Sequence, residues 1–328
     1  MITTVDALRA RLDSIRSARP DPASPADPAS VSDPATLADP ASASLADPAS
    51  ASLADPASAA ASRGAGRVPR IAHISTLGAL HEGHVDLVHR AKEIADVVVV
   101  TVFVNPLRFR GDAEFDAYPR SLEEDERLLE SLGVDIVFAP DAAELLPHGR
   151  DTTKVSAGDR GLRYEGSRRA TYFDAILTVE AILLNIVRPD VAVYGERDRQ
   201  RVFLVRRMVQ DLFLDVEIEA VPTVRSDDGV PVSKRLGILE DADRAAAAKL
   251  TSALDDAAAN ADRGVDACIA AAQSALMGDP RIRLEYLSVV DPDSFQSADE
   301  NRTGPALVLI AGTIGGRRFV DSTEVVLG

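Results

Sequence analysis

The sequence has little of several residue types on which whole classes of protein depend. Its 328 residues include a single cysteine, Cys268, which excludes a disulfide framework and a cysteine-ligated zinc site. No apolar run approaches the roughly 20 residues of a membrane span. Residues 1–19 lack the apolar core of a signal peptide. We therefore expect a cytoplasmic protein without a membrane segment.

Positive charge is also scarce. The chain has 36 Lys and Arg against 52 Asp and Glu, a formal net charge of −16. No basic stripe follows any helical segment, so a nucleic-acid-binding surface would lack its electrostatic basis. This balance favours small molecules as partners.

A low-complexity stretch lies between Pro20 and Gly66. The pattern D-P-A-S or D-P-A-T recurs there without an aromatic residue, at Asp21, Asp27, Asp33, Asp39, Asp47 and Asp55. Proline removes backbone donors, and Ala and Ser bury too little apolar area to offset chain entropy. We predict a disordered acidic insertion over residues 20–66, acting as a spacer or a tolerated surface insertion.

The rest of the first 222 residues alternates strand and helix patterns. Apolar strand patterns lie at residues 71–74, 97–104, 135–139, 191–194 and 216–221. Helical patterns begin before the insertion, with Val5, Leu8, Leu12 and Ile15, and continue at residues 83–95, 122–132, 173–186 and 200–212. The alternation predicts an α/β domain with a doubly wound parallel sheet, whose ligands bind at the carboxyl ends of the strands.

From residue 223 to 328 the pattern changes. Two Ala-rich helical patterns, at 241–260 and 265–277, precede strand patterns at 283–290 and 306–314. We predict a smaller α+β domain joined near Pro222, with a cleft between the domains as a place for a small molecule.

The most informative tract runs from Thr76 to His84, directly after the first core strand. It holds two of the five histidines, His81 and His84, around Gly83, and it opens a helix. Helix N-termini bind phosphates, and paired imidazoles can stabilise charge that develops on an α-phosphate. Two helix-start histidines with only local bonds are the alternative. A His-Glu-x-x-His zinc site is weaker, because these histidines are three residues apart.

Three further tracts lie at strand exits or turns. Asn105 and Arg108 follow the most apolar strand, and Tyr118 lies shortly downstream. A later strand leads into Gly195, Arg197, Asp198 and Arg201, where a carboxylate can bind ribose hydroxyls and a guanidinium can reach phosphate. The turn after Gly229 leads to Ser233, Lys234 and Arg235, which offer a hydroxyl and two cations to a polyphosphate.

Together these tracts resemble the pantothenate synthetase (pantoate–β-alanine ligase) family of the HxGH nucleotidyl-transferase group. The matching segments are H-E-G-H, F-V-N-P-L-R-F, Y-P-R, V-Y-G-E-R-D and V-P-V-S-K-R. The resemblance implies a Rossmann-like domain with a C-terminal lid, Mg²⁺ and ATP as cofactors, and a homodimer. It implies a reaction in which a carboxylate attacks the α-phosphorus, giving an acyl-adenylate and pyrophosphate, and an amine then displaces AMP.

The resemblance also assigns roles. His81, His84, Arg197, Ser233 and Arg235 would act on the phosphates. ATP would contact Leu77, Gly83, Gly195, Asp198 and Lys234. The acid and amine would contact Asn105, Arg108, Tyr118 and Arg201, and Glu124 with Asp125 would lie near magnesium.

Several positions depart from the family pattern. Arg108 and Arg201 stand where the family has Gln, Arg197 stands for Lys, Tyr172 for His, Ile182 for Lys and Leu77 for Met. Because guanidiniums bind anionic oxygens and do not replace amides, one hypothesis is a more anionic acyl substrate, and ordinary pantothenate synthesis is the other. An inactive nucleotide-binding paralogue and a transferase that stops after AMP transfer are further alternatives.

Overall fold

The computed structural model describes residues 1–17, 67–118, 120–232 and 239–328. The predicted insertion at 20–66 and the predicted phosphate-binding residues Ser233, Lys234 and Arg235 lie outside the described residues. Met1–Leu12 and Arg70–Gly328 form one compact unit, and Asp13–Pro69 is assigned to a second. The division of the chain near residue 222 therefore stays a prediction.

The main sheet has five parallel strands in the order β3-β2-β1-β4-β5. They are β1 (Ile71–Thr76), β2 (Val97–Val102), β3 (Ile136–Phe138), β4 (Val191–Gly195) and β5 (Glu217–Val221). Their Val- and Ala-rich sequences suit strands covered on both faces, and the doubly wound prediction is confirmed. The strand order reverses between β1 and β4, so a ligand crevice is expected at the carboxyl ends of these two strands.

Seven helices of the described residues accompany this sheet: α1 (Val5–Ser17), α2 (Glu82–Ile94), α3 (Asp112–Asp116), α4 (Leu122–Ser131), α5 (Ala142–Leu145), α6 (Tyr172–Val187) and α7 (Arg199–Asp211). The residues before α1 join the sheet. Ile2 N donates to Val137 O, and Ala139 N donates to Ile2 O, both at 2.8 Å. The start of the chain is thus tied to the edge strand β3, although residues 20–66 separate it in sequence from β1.

The C-terminal part is α+β, as predicted. Helices α8 (Asp241–Ala259) and α9 (Val265–Leu276) pack on an antiparallel sheet of β6 (Arg283–Val290), β7 (Gly304–Ile314) and β8 (Arg317–Leu327). Strand β8 was not predicted, because polar and charged residues interrupt its apolar pattern. The sequence signal that could have indicated this strand was the Gly315–Gly316 pair. These glycines have positive φ angles of 55° and 73° and form the hairpin turn between β7 and β8.

Within the described ranges, none of the helices combines the length and the apolar composition that a membrane crossing requires.

A histidine is buried in the middle of the main sheet. His73 on β1 is 1% exposed, and its Nε2 lies 2.9 Å from Thr101 Oγ1 on β2. Its Nδ1 has no hydrogen-bond partner among the described residues. Burial lowers the pKa of His73 from 6.5 to about 4; the charge of Glu180 opposes this shift, and that of Arg201 adds to it.

This histidine makes folding stability depend on pH. Below about pH 6.5 the unfolded chain binds a proton that the folded chain does not bind until about pH 4, so stability falls as the pH falls through that window. The full difference corresponds to about 3 kcal/mol. We expect His73→Gln, which cannot titrate, to remove most of this pH-dependent loss in urea unfolding followed by circular dichroism. An unchanged pH profile in the variant would contradict the assignment.

Candidate active site

A carboxylate from α4 shapes the turn that carries the histidines. After β1 the backbone turns through Gly78 and Ala79 with φ of 77° and 59°, a left-handed conformation that costs energy for alanine. Asp125 accepts hydrogen bonds from Ala79 N at 2.7 Å and Leu80 N at 2.8 Å. A Cβ on Gly78 would lie 2.9 Å from Asp125 Oδ2. Glycine at this position therefore allows the carboxylate to hold the turn.

The two imidazoles cap the helix that follows. His81 is the N-cap of α2; its Nδ1 accepts from Gly83 N, and His84 Nδ1 accepts from His81 N, both at 3.2 Å. Because each Nδ1 is an acceptor, each neutral ring carries its proton on Nε2. The ring centroids are 4.2 Å apart. The capping bonds thus set two Nε2–H donors side by side at a helix N-terminus.

Two cavities meet at this pair. The first, about 430 Å³, is lined by Leu77, Asn105, Arg108, Tyr118, Tyr172 and Glu180, among others. The second, about 290 Å³, is lined by Gly83, Gly195, Asp198 and residues of the C-terminal part such as Arg318. Ser75, His81, His84, Arg197 and Arg201 line both cavities. The structure thus brings sequence-predicted residues of three separate tracts together at the junction of the two cavities.

Asn105 and Arg108 shape the first cavity. Asn105 is 3% exposed; its Nδ2 donates to Ala175 O, and its Oδ1 accepts from Leu107 N. The amide thereby joins the turn after β2 to α6. Arg108 Nη2 donates to Tyr172 Oη at 2.9 Å, and its guanidinium lies 5.2 Å from the centre of that ring. Tyr172 therefore orients the guanidinium within the cavity wall.

Arg201 is held by a residue that sequence reasoning missed. Glu180 on α6 is 4% exposed as a residue and forms an ion pair with Arg201 at 2.5 Å. Ser75 Oγ and Tyr194 Oη also donate to this carboxylate, at 2.8 and 2.9 Å. The sequence signal was a glutamate within the apolar sequence of α6, because a glutamate is almost never fully buried without a partner.

Asp198, which the resemblance assigns to ATP, lies in the wall of the second cavity. Its Oδ1 accepts from Arg201 N at 3.0 Å and caps α7. Burial and the nearby charge of Glu165 raise the pKa of Asp198 above its ordinary value. Its carboxylate is thus held in the wall of the cavity that Gly195 also lines.

The predicted magnesium residues are not gathered into a metal centre. Glu124 is exposed, while Asp125 is 3% exposed and accepts two backbone N–H groups and Ser121 Oγ. The described residues hold no group of three or more His, Cys, Asp or Glu side chains that could bind a metal ion. The donor set does not fit a protein-held cation, and the metal role of this pair stays a prediction that no contact supports.

Asp125 therefore has a structural role that mutation can measure. We expect Asp125→Ala to lower the free energy of unfolding by about 3 kcal/mol, because one part-buried and one buried N–H group lose a charged acceptor. Urea unfolding followed by circular dichroism measures the change. Its neighbour Glu124 is the matched control, and Glu124→Ala should stay within about 0.5 kcal/mol of the parent. Equal losses in both variants would contradict this role.

Comparison with known proteins gives one consistent result. A family model described as pantoate-beta-alanine ligase matches residues 52–324. The pantothenate synthetase of Leifsonia xyli subsp. xyli is 45% identical over 270 residues, covering 82% of this chain and 94% of its own length. That of Nocardia farcinica is 42% identical over 268 residues, with 82% of each chain covered.

Solved structures agree. The pantothenate synthetase of Thermus thermophilus superposes with a TM-score of 0.72 at 35% identity, covering 83% of this chain and 98% of its own. The Francisella tularensis pantoate-beta-alanine ligase, complexed with beta-gamma ATP and beta-alanine, gives a TM-score of 0.62 at 29% identity, with 78% and 89% covered. The chain belongs to the pantoate–β-alanine ligase family.

Proposed function

We propose that the protein joins pantoate to β-alanine in an ATP-dependent reaction that passes through an acyl-adenylate. The observation that carries this proposal is the position of His81 and His84, whose donors lie where two cavities meet. A reaction between a nucleotide in one cavity and an acid in the other needs such a junction. The family of the chain and the ATP and β-alanine in the Francisella complex support the same assignment.

In the first step a carboxylate oxygen of pantoate attacks the α-phosphorus of ATP. The new bond joins that oxygen to phosphorus, and the bond to the bridging oxygen breaks, so pyrophosphate leaves with the electron pair. Negative charge on the α-phosphate oxygens would be met by the Nε2–H groups of His81 and His84 and by the N-terminus of α2. Arg197 lines both cavities and would contact the phosphates.

In the second step the neutral amine of β-alanine attacks the acyl carbon. The C–N bond forms, the bond to the AMP oxygen breaks, and the amine loses a proton. The acyl carbon and the amine would meet in the first cavity, which we call the acid cavity and whose wall includes Asn105 and Tyr118. Asp198 and Gly195 would hold the ribose in the other cavity, so AMP remains oriented as a leaving group.

Pantoate is favoured over a more anionic acid. The relatives are named pantothenate synthetases, and one of the two guanidiniums that suggested a changed substrate is already paired with Glu180. Mg²⁺ would enter as part of the Mg–ATP substrate, since Mg²⁺ commonly binds nucleotide phosphates and few protein groups. The homodimer and the cytoplasmic location stay predictions.

Exchange of labelled pyrophosphate into ATP tests the first step. We expect exchange that depends on pantoate, and AMP release with amide formation once β-alanine is added. Replacing His81 or His84 by Ala should slow exchange about 100-fold or more, because each change removes a donor to the developing charge.

His89 provides the matched control, since it is an exposed histidine on the same helix α2. His89→Ala should keep the exchange rate within about twofold of the parent, as is usual for a surface substitution. Absence of exchange with every acid tried, or an equal loss in all three variants, would contradict the proposed function.

A further inference from the structure

We propose that Glu180 sets the charge of the acid cavity by neutralising Arg201, and that it thereby selects monoanionic hydroxy acids over dianionic ones. The inference rests on the proposed function and assigns a specificity role to a pair that the proposed mechanism does not use. Glu180 acts through Arg201 and is a positioning residue. Four observations lead to it.

The first is the set of hydrogen bonds that the Glu180 carboxylate accepts. Oε1 accepts from Ser75 Oγ at 2.8 Å and from Arg201 Nη2 at 2.5 Å, while Oε2 accepts from Tyr194 Oη at 2.9 Å. The side chain is 5% exposed. A carboxylate so buried is costly unless it is paired and hydrogen-bonded, and here both oxygens are engaged. The acid substrate is thus not needed to satisfy Glu180.

The second is the ionisation of the pair. Burial by itself would raise the pKa of Glu180, but the charge of Arg201 and the hydrogen bond from Ser75 outweigh it, and the pKa is lowered. Glu180 is therefore anionic when Arg201 is cationic. The pair contributes no net charge to the cavity it lines.

The third is the way Arg201 faces the cavities. Its contacts to Glu180 and Ser75 are both made by Nη2, and its guanidinium lies 5.1 Å from the centre of the Tyr194 ring. The side chain is 28% exposed and borders both cavities. Arg201 can still donate a hydrogen bond to a hydroxyl oxygen, but its charge is already matched.

The fourth is the contrast with Arg108 in the same cavity. Arg108 donates to the neutral hydroxyl of Tyr172, and no carboxylate of the described residues lies within 4.0 Å of its guanidinium nitrogens. The positive charge of Arg108 is thus not neutralised by a protein carboxylate, and it can bind the carboxylate of the substrate. A second carboxylate would meet the neutral Glu180–Arg201 pair and would lose hydration without gaining a counter-charge.

Pantoate and malate are the matched probes, because both are 2-hydroxy acids and malate carries one more carboxylate. The readout is kcat/KM for each acid in pyrophosphate–ATP exchange. We expect the parent to prefer pantoate. Glu180→Gln keeps the shape of the side chain but leaves the charge of Arg201 without a counter-charge. It should therefore shift the pantoate-to-malate ratio towards malate by about tenfold or more, which is the contribution of one charge-assisted contact.

Three further variants keep the test decisive if Glu180→Gln folds poorly. Arg201→Gln leaves Glu180 unmatched and should raise KM for pantoate about tenfold, with little change in the affinity for ATP. The double variant, Glu180→Gln with Arg201→Gln, has no charge at either position and should recover the parental pantoate-to-malate ratio. Glu180→Asp keeps the charge and should keep the preference. Melting curves and ATP titrations show that each variant is folded.

Each of three results would overturn the inference while leaving the ligase assignment intact. The first is an unchanged pantoate-to-malate ratio in Glu180→Gln, and the second is a double variant whose ratio is no closer to the parental ratio than that of Arg201→Gln. Comparable use of malate and pantoate by the parent would do the same. If the parent catalysed no pyrophosphate–ATP exchange with any acid, the result would instead contradict the proposed function, and the inference with it.

Discussion

The hydrogen bonds that the backbone N–H groups of Ala79 and Leu80 donate to Asp125 are the constraint on which the site depends. They hold a left-handed turn between the end of β1 and the start of α2. That turn sets His81 at the N-cap position, and the capping bonds then fix the proton of each imidazole on Nε2. A buried carboxylate on a different helix thereby determines where the two imidazoles lie.

The site also shows how buried charge is distributed. Arg201 has a carboxylate partner, and Arg108 has a neutral tyrosine instead. Two arginines in one cavity wall thus differ in the charge that they present to a ligand. Residue type alone suggested two equivalent anion-binding groups. The contacts distinguish them, because Arg201 belongs to a neutral pair with Glu180, whereas Arg108 keeps a positive charge.

Local patterns in the sequence identified most of the fold and many residues of the site. The valine-rich run of β2 and the histidine tract after β1 are short-range signals, so the parallel sheet and the paired imidazoles could be predicted from them. Long-range partners could not. The pairing of Glu180 with Arg201, and the acceptance of two backbone N–H groups by Asp125, depend on side chains that only the folded chain brings together. The family resemblance placed Asp125 near magnesium, and no local pattern linked its carboxylate to a turn 45 residues earlier.

The proposed reaction requires a bond between the pantoate carboxylate and the α-phosphorus of ATP. Pantoate labelled with ¹⁸O in both carboxylate oxygens tests this directly, with mass spectrometry of the AMP formed together with the amide. We expect one ¹⁸O atom in each AMP, because the oxygen that attacks phosphorus leaves with it. Unlabelled AMP, or label appearing in inorganic phosphate, would contradict the account.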